Sequence, residues 1–153
     1  MAKNRKTIIG VGLLLVAIVV SVLVIYIFDS MYIKYNRLPS GIKQFVSIHF
    51  PEEKPVVSHY DFPGYDVWVG DAFEIEFDIF NRWNEIECRR GKELPSSILS
   101  LLPPGITDVI ESYYGNMAIT KISRDLFRYE IELSDNDIEL VFSKNGQLIG
   151  IHD

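Results

Sequence analysis

Three rhythms of apolar residues divide the chain. The first is an unbroken run from Ile8 to Phe28, without a charged residue in 21 positions. As a helix at about 1.5 Å per residue it would cover roughly 31 Å, close to the ~30 Å hydrocarbon core of a bilayer. The second rhythm is helical. Ile42, Phe45, Val46 and His49 fall at i, i+3, i+4 and i+7 behind Pro39, and Pro51 stops the pattern. Ile106, Val109, Ile110 and Tyr113 follow the same spacing and end at Gly115-Asn116, a helix C-cap pair. The third is period-two alternation cut by turn residues, which predicts strands over 56–60, 65–69, 73–78, 83–88, 118–124, 129–133, 138–142 and 148–151. Asn145-Gly146 is a strong hairpin signal between the last two.

The helical and alternating segments recur. Leu38-Pro39-Ser40-Gly41-Ile42 returns as Leu102-Pro103-Pro104-Gly105-Ile106, 64 residues on. Tyr65-Asp66-Val67 meets Tyr129-Glu130-Ile131 at the same offset. One residue is then gained, so that Phe77, Asn81, Trp83 and Ile86 meet Phe142, Gly146, Leu148 and Ile151. Each unit reads as one amphipathic helix followed by a four-stranded antiparallel meander. The predicted organisation is a basic N-terminus (1–7), an apolar anchor or signal (8–28), a juxtamembrane linker (29–37), a first unit (38–88), a linker with a short helix (89–101) and a second unit (102–153). Units of about fifty residues bury too little surface to stand alone, so the two should share a core or a continuous sheet.

Charge adds an orientation. Of 15 Lys+Arg and 21 Asp+Glu, only Lys3, Arg5 and Lys6 precede Asp29, so the first 28 residues carry +3 and the remaining body −9, which gives the net −6. The positive-inside rule then leaves the N-terminus in the cytoplasm and exports the body, as a single-pass inner-membrane protein or, after signal cleavage, a periplasmic or secreted one. The run is longer than a usual signal core and lacks a small-residue cleavage site, which favours an uncleaved transmembrane anchor through residues 8–28. An acidic body argues against nucleic acid as a partner. The lone Cys88 cannot close an internal disulfide, and its alternating neighbours place it as a buried cysteine.

The run LPSGIKQFVSIHFP, the segment GYDVWVGDAFEIEFD, and the second LP-x-x-I…YY…ITKI…YEIEL unit resemble the PepSY-like, β-lactamase-inhibitor-like proteins of the Bacteroides group. The resemblance covers residues 38–153. It implies an exported α+β protein with helices on one face of an antiparallel sheet, no enzymatic activity and an unassigned partner. The full expectation is an N-terminal transmembrane helix followed by two tandem units of one helix plus a four-stranded meander. Asn81 stands where the family usually has Gly, and Ser143 and Leu148 replace the usual Asp and Trp.

Chemistry is sparse. His59 and Asp61 could touch one metal, but two ligands make no site, and no nucleophile-base pair, P-loop or C-x-x-C is present. No catalytic residue, metal or cofactor is expected. Strand parity, with Tyr65, Val67, Val69, Phe73, Ile75 and Phe77 facing the helix, turns Trp68, Glu74, Glu76, Trp83, Glu85 and Glu87 outward. In the second unit Arg128, Glu130, Glu132, Glu139 and Val141 follow them. Tryptophan among carboxylates on an open sheet is typical of a recognition surface; by resemblance, the inhibitory protein engages its enzyme through this face. The expected function is a non-enzymatic binding module that docks an envelope protein or cationic peptide there. The alternative is a structural subunit of an envelope complex held mainly through its membrane span.

Overall fold

A computed structural model describes residues 12–24, 32–59, 63–89, 91–134 and 138–152. Among the described residues nine strands form one antiparallel sheet in strict sequence order. They are β1 (Tyr32–Ile33), β2 (Pro55–His59), β3 (Tyr65–Val69), β4 (Phe73–Phe77), β5 (Trp83–Cys88), β6 (Ile119–Arg124), β7 (Arg128–Leu133), β8 (Glu139–Ser143) and β9 (Leu148–His152). Helix α1 (Ser40–His49) lies between β1 and β2 in the chain, and α2 (Ser96–Leu99) and α3 (Pro104–Tyr114) lie between β5 and β6.

This arrangement corrects the expected fold in two ways. The strands do not divide into two four-stranded units: of the shared core or continuous sheet expected to join the repeats, the continuous sheet is found, with nine strands. β5 pairs directly with β6 through Glu85–Ser123, Ile86–Ile122 and Glu87–Lys121, and a ninth strand, β1, lies in the stretch expected to be linker. The N-terminal transmembrane helix is not seen either. Residues 12–24 are helical, about 20 Å at 1.5 Å per residue. Among the described residues no helix is long and apolar enough to cross a membrane. The remainder of the 8–28 run lies outside the described residues.

The continuous sheet follows from where apolar side chains must go. Val67, Ile75, Ile86, Ile122, Ile131 and Leu140 occupy one register row from β3 to β8, and none retains any solvent exposure. Ile42 and Val46 of α1, Ile98 of α2, and Ile106 and Ile110 of α3 close over the row, and all belong to one apolar cluster. Splitting the sheet at β5–β6 would expose Ile86 and Ile122, at about 1.5–3 kcal/mol for each fully buried side chain.

Backbone irregularities recur at the offset of the sequence repeat. Pairing slips between Pro55 and Val57, and again between Ile119 and Lys121. It slips between Glu76 and Phe77, and again between Val141 and Phe142. In the β4–β5 turn the Asp78 N–H donates to the Arg82 carbonyl, with Asn81 at φ +61°; in the β8–β9 turn the Ser143 N–H donates to the Gln147 carbonyl, with Gly146 at φ +81°. Asn is among the few side chains that enter this left-handed region readily, which accounts for Asn81 in place of glycine. A Cβ on Gly105 would lie 2.8 Å from the Gly146 carbonyl oxygen, so glycine lets the start of α3 sit against that turn.

Two helix-face expectations change. Phe45 is only partly buried, edge-on to Phe77 at 5.3 Å. Tyr113 is 79% exposed, whereas Tyr114 packs on the core. The buried line of α3 runs Ile106, Ile110, Tyr114, an i, i+4, i+8 path that winds around the helix and leaves Tyr113 on the solvent side. Its counterpart in α1, His49, is buried and tilted against Phe45 at 4.6 Å.

Candidate functional site

With α1, α2 and α3 packed on one side, the other face of the sheet is open among the described residues. Register defines two rows across it. One runs His59, Asp66, Glu76, Glu85, Ser123, Glu130, Val141 and Gly150. The other runs Trp68, Glu74, Glu87, Lys121, Glu132, Glu139 and His152. The face thus gathers eight carboxylates, with Lys121 as the one cation inside the rows.

Trp68, Glu74, Glu76, Glu85 and Glu87 therefore share the outer face. Trp83 does not. It is 5% exposed and paired with Phe77 on the core side. The cause is the bulge that sets Trp83 and Asn84 together opposite Phe77, which reverses strand parity at that point. The signal was present in the sequence as W-x-x-I-x-C: Trp83, Ile86 and Cys88 are all buried at spacings of three and then two. The guanidinium of Arg124 lies 4.1 Å over the Trp83 ring, and its Nε donates to the Trp83 carbonyl at 2.7 Å. Ile119 and Ile122, also three apart and both buried, mark another irregularity, in β6, that turns Lys121 and Ser123 outward. Simple alternation missed these two.

Trp68 is half-buried, and the Arg89 guanidinium stacks on it at 4.8 Å. Arg89 also reaches Glu74 at 2.7 Å and Glu87 at 3.2 Å. Lys121 pairs with Glu85 at 2.7 Å and Arg128 with Glu130 at 2.8 Å, while the His152 Nδ1 lies 3.3 Å from Glu139. These cations do not quench the field. Burial raises the Glu76 carboxyl above its ordinary value, and Glu85, Asp66 and Glu74 push it further. Burial likewise raises Glu74 against the pull of Arg89, with Glu87 and Glu85 adding to the rise. Glu132 is raised by burial against Lys121, with Glu139 adding. For Lys121 burial works downward, but the hydrogen bond to Glu85 and the surrounding carboxylates raise it. The face repels its own charges and attracts cations.

No group of three or more His, Cys, Asp or Glu side chains is arranged to hold a metal ion among the described residues. His59 stands opposite Asp66 on β2, and Asp61 lies outside the described residues. Cys88 is buried and free; its thiol donates to the Lys92 carbonyl at 2.9 Å, and burial pushes its pKa up to about 11. It is not a nucleophile at neutral pH.

The family model described as "Putative beta-lactamase-inhibitor-like, PepSY-like" matches residues 63–150. Among solved structures, a "putative calcium-regulated periplasmic protein" of Bacteroides thetaiotaomicron is similar with TM-score 0.72 and 29% identity, over 82% of this chain and 98% of that one. A protein of Bacteroides vulgatus described as a "putative periplasmic protein" gives 0.70 and 29% over 82% and 98%, and another from that species, described as a "putative periplasmic protein of unknown function", gives 0.69 and 28% over 80% and 98%. No curated protein matches. These descriptions place the relatives in the periplasm and attach no reaction to them. With more than half its length matched, the chain belongs to the beta-lactamase-inhibitor-like, PepSY-like family.

Proposed function

We propose that this is a periplasmic, non-enzymatic binding module that docks a cationic segment of an envelope protein or peptide on its open sheet face. The observation that carries the reading is the pair of outer rows, with eight carboxylates across β3–β8 and one lysine among them. Such a field mainly accelerates encounter with a basic partner, and each rim carboxylate adds only about 0–1 kcal/mol to affinity. Trp68 supplies an anchor of roughly 2 kcal/mol when a partner covers it, and a partner cation can take the place that Arg89 holds on its ring. The description of one relative as calcium-regulated adds a divalent cation as a competitor for the same face.

The test uses the whole protein against basic peptides and envelope extracts, by surface plasmon resonance. Trp68→Ala should speed dissociation, and Glu74→Gln with Glu76→Gln should slow association at low salt. Calcium should compete with the peptide. Binding that ignores all three substitutions and persists at high salt would place the partner elsewhere.

A structural role in an envelope assembly is the second reading, favoured by the far edge of the sheet. β9 pairs only with β8 among the described strands, and its Ile149 and Ile151 are 59% and 48% exposed. An uncovered, apolar edge strand is a template for lateral strand addition. Concentration-dependent oligomers in light scattering, abolished by Ile149→Lys, would favour this reading over the first.

A further inference from the structure

The β4–β5, β6–β7 and β8–β9 turns lie at one end of the sheet, and their character is opposite to that of the acidic face. Ile79 and Phe80 at the first tip are 55% and 68% exposed, and Leu126 and Phe127 at the second are each 78% exposed. Between the three turns lies an open cleft of about 470 Å³ lined by Asp78, Arg82, Asn84, Arg124, Asp125, Leu126 and Lys144. Both aspartates are engaged by their own turns. Asp78 Oδ1 accepts from the N–H groups of Phe80 and Arg82, and Asp125 Oδ1 from those of Phe127 and Arg128. In the lining Arg82, Arg124 and Lys144 outnumber them three to two. Burial lowers the Lys144 pKa, and Arg124 and Arg82 lower it further, so Lys144 is crowded by like charge, while Arg82 is paired with Asp78 at 2.7 Å and Arg128 with Glu130 at 2.8 Å. The chain also enters the sheet at this end, because Tyr32 pairs with His59 in the row of Asp66 and Glu76.

We propose that this turn end is a docking surface for an anionic phospholipid bilayer. Exposed phenylalanines at protruding hairpin tips suit the headgroup–acyl boundary, which needs no matching pocket, and clustered Arg and Lys suit the anionic headgroups. The molecule's own acidic face is the competing occupant on charge alone. The pocket on that face is lined by Glu85, Lys121, Ser123, Glu130, Glu132 and Glu139, polar side chains unsuited to four protruding apolar ones, and this favours the membrane. Docked this way, the strands stand on the bilayer and the carboxylate face points sideways, open to a partner.

Hydrogen exchange of the full-length protein on vesicles tests this, because it reads the turns separately from the apolar N-terminal run. Exchange in segments 79–82 and 125–128 should slow roughly tenfold on phosphatidylcholine vesicles containing phosphatidylglycerol, and not on phosphatidylcholine alone. The protection should vanish in Phe80→Ser with Phe127→Ser, and separately in Arg82→Gln with Lys144→Gln, while strands β3–β4 stay protected. Four results overturn the proposal: no slowing on the anionic vesicles, equal slowing on neutral ones, slowing by glycerol phosphate alone, or slowing with protein concentration without vesicles. The last two assign the site to a free anion or to a second copy. None of these outcomes bears on the acidic face, so this proposal and the binding role fail independently.

Discussion

Both tryptophans, Trp68 and Trp83, lie in the first half of the sheet, while the apolar row continues without a break into the second. That asymmetry permits a direct test of the shared core. Ile131 in β7 is fully buried between Ile122 and Leu140 and is remote in sequence from either tryptophan. Ile131→Ala removes three carbons, about 2.4 kcal/mol at 0.8 kcal/mol for each buried methylene. The unrelaxed cavity brings the expected loss to about 2–5 kcal/mol. With a urea m-value of about 1–3 kcal/mol/M, a 3 kcal/mol loss moves the midpoint by about 1–3 M. Unfolding is followed by tryptophan emission, which reports the first half, and by far-ultraviolet circular dichroism, which reports the whole. Both curves should shift together and stay superimposed. If emission kept its wild-type midpoint while the dichroism split into two transitions, the halves would be independent and the single-core account wrong.

Three further outcomes follow from burial and charge. Phe142→Ala, at a side chain with no exposure, should cost about 3–5 kcal/mol in urea titrations, whereas Phe45→Ala, only partly buried, should cost clearly less; equal losses would contradict the packing of α1. Glu74, Glu76 and Glu132 titrate above 4.5 in the folded chain, so the native state binds more protons than the unfolded one. Their contribution to stability should therefore grow as pH falls from neutrality towards about 4.5, while binding of a basic peptide weakens. Asp78 and Asp125 are held below 3.8, so their contribution is present above that value and is lost on further acidification; because the buried His49, lowered by desolvation, itself costs stability as pH falls through about 6.5, the comparison is with Glu74→Gln plus Glu76→Gln, and an identical pH dependence of the urea midpoint in that variant and the wild type would refute the repulsion. Cys88, buried with its pKa at about 11, should resist iodoacetamide at pH 8 in the folded protein and react at once in urea, as mass spectrometry would record.

Local chemistry alone determined much of this protein. Period-two alternation and turn residues located eight of the nine described strands, and the i, i+3, i+4 pattern found α1 and α3, because these signals depend only on neighbouring side chains. The acidic character of the outer face was equally legible, since Glu74 and Glu76, and Glu85 and Glu87, each keep parity within one uninterrupted stretch of strand. Tertiary structure decided the rest. Alternation cannot register the extra residue of a bulge, so Trp83 read as an outward anchor until pairing with Phe77 turned it into the core. Tyr32 and Ile33 carry too short a pattern to declare a strand, and become one only because β2 offers an unpaired edge. Unit size required the two repeats to share a core or a sheet, but which of these joins them is absent from either repeat by itself. The continuous sheet arises because Ile86 and Ile122 lie in different halves, and each leaves water only by pairing with the other.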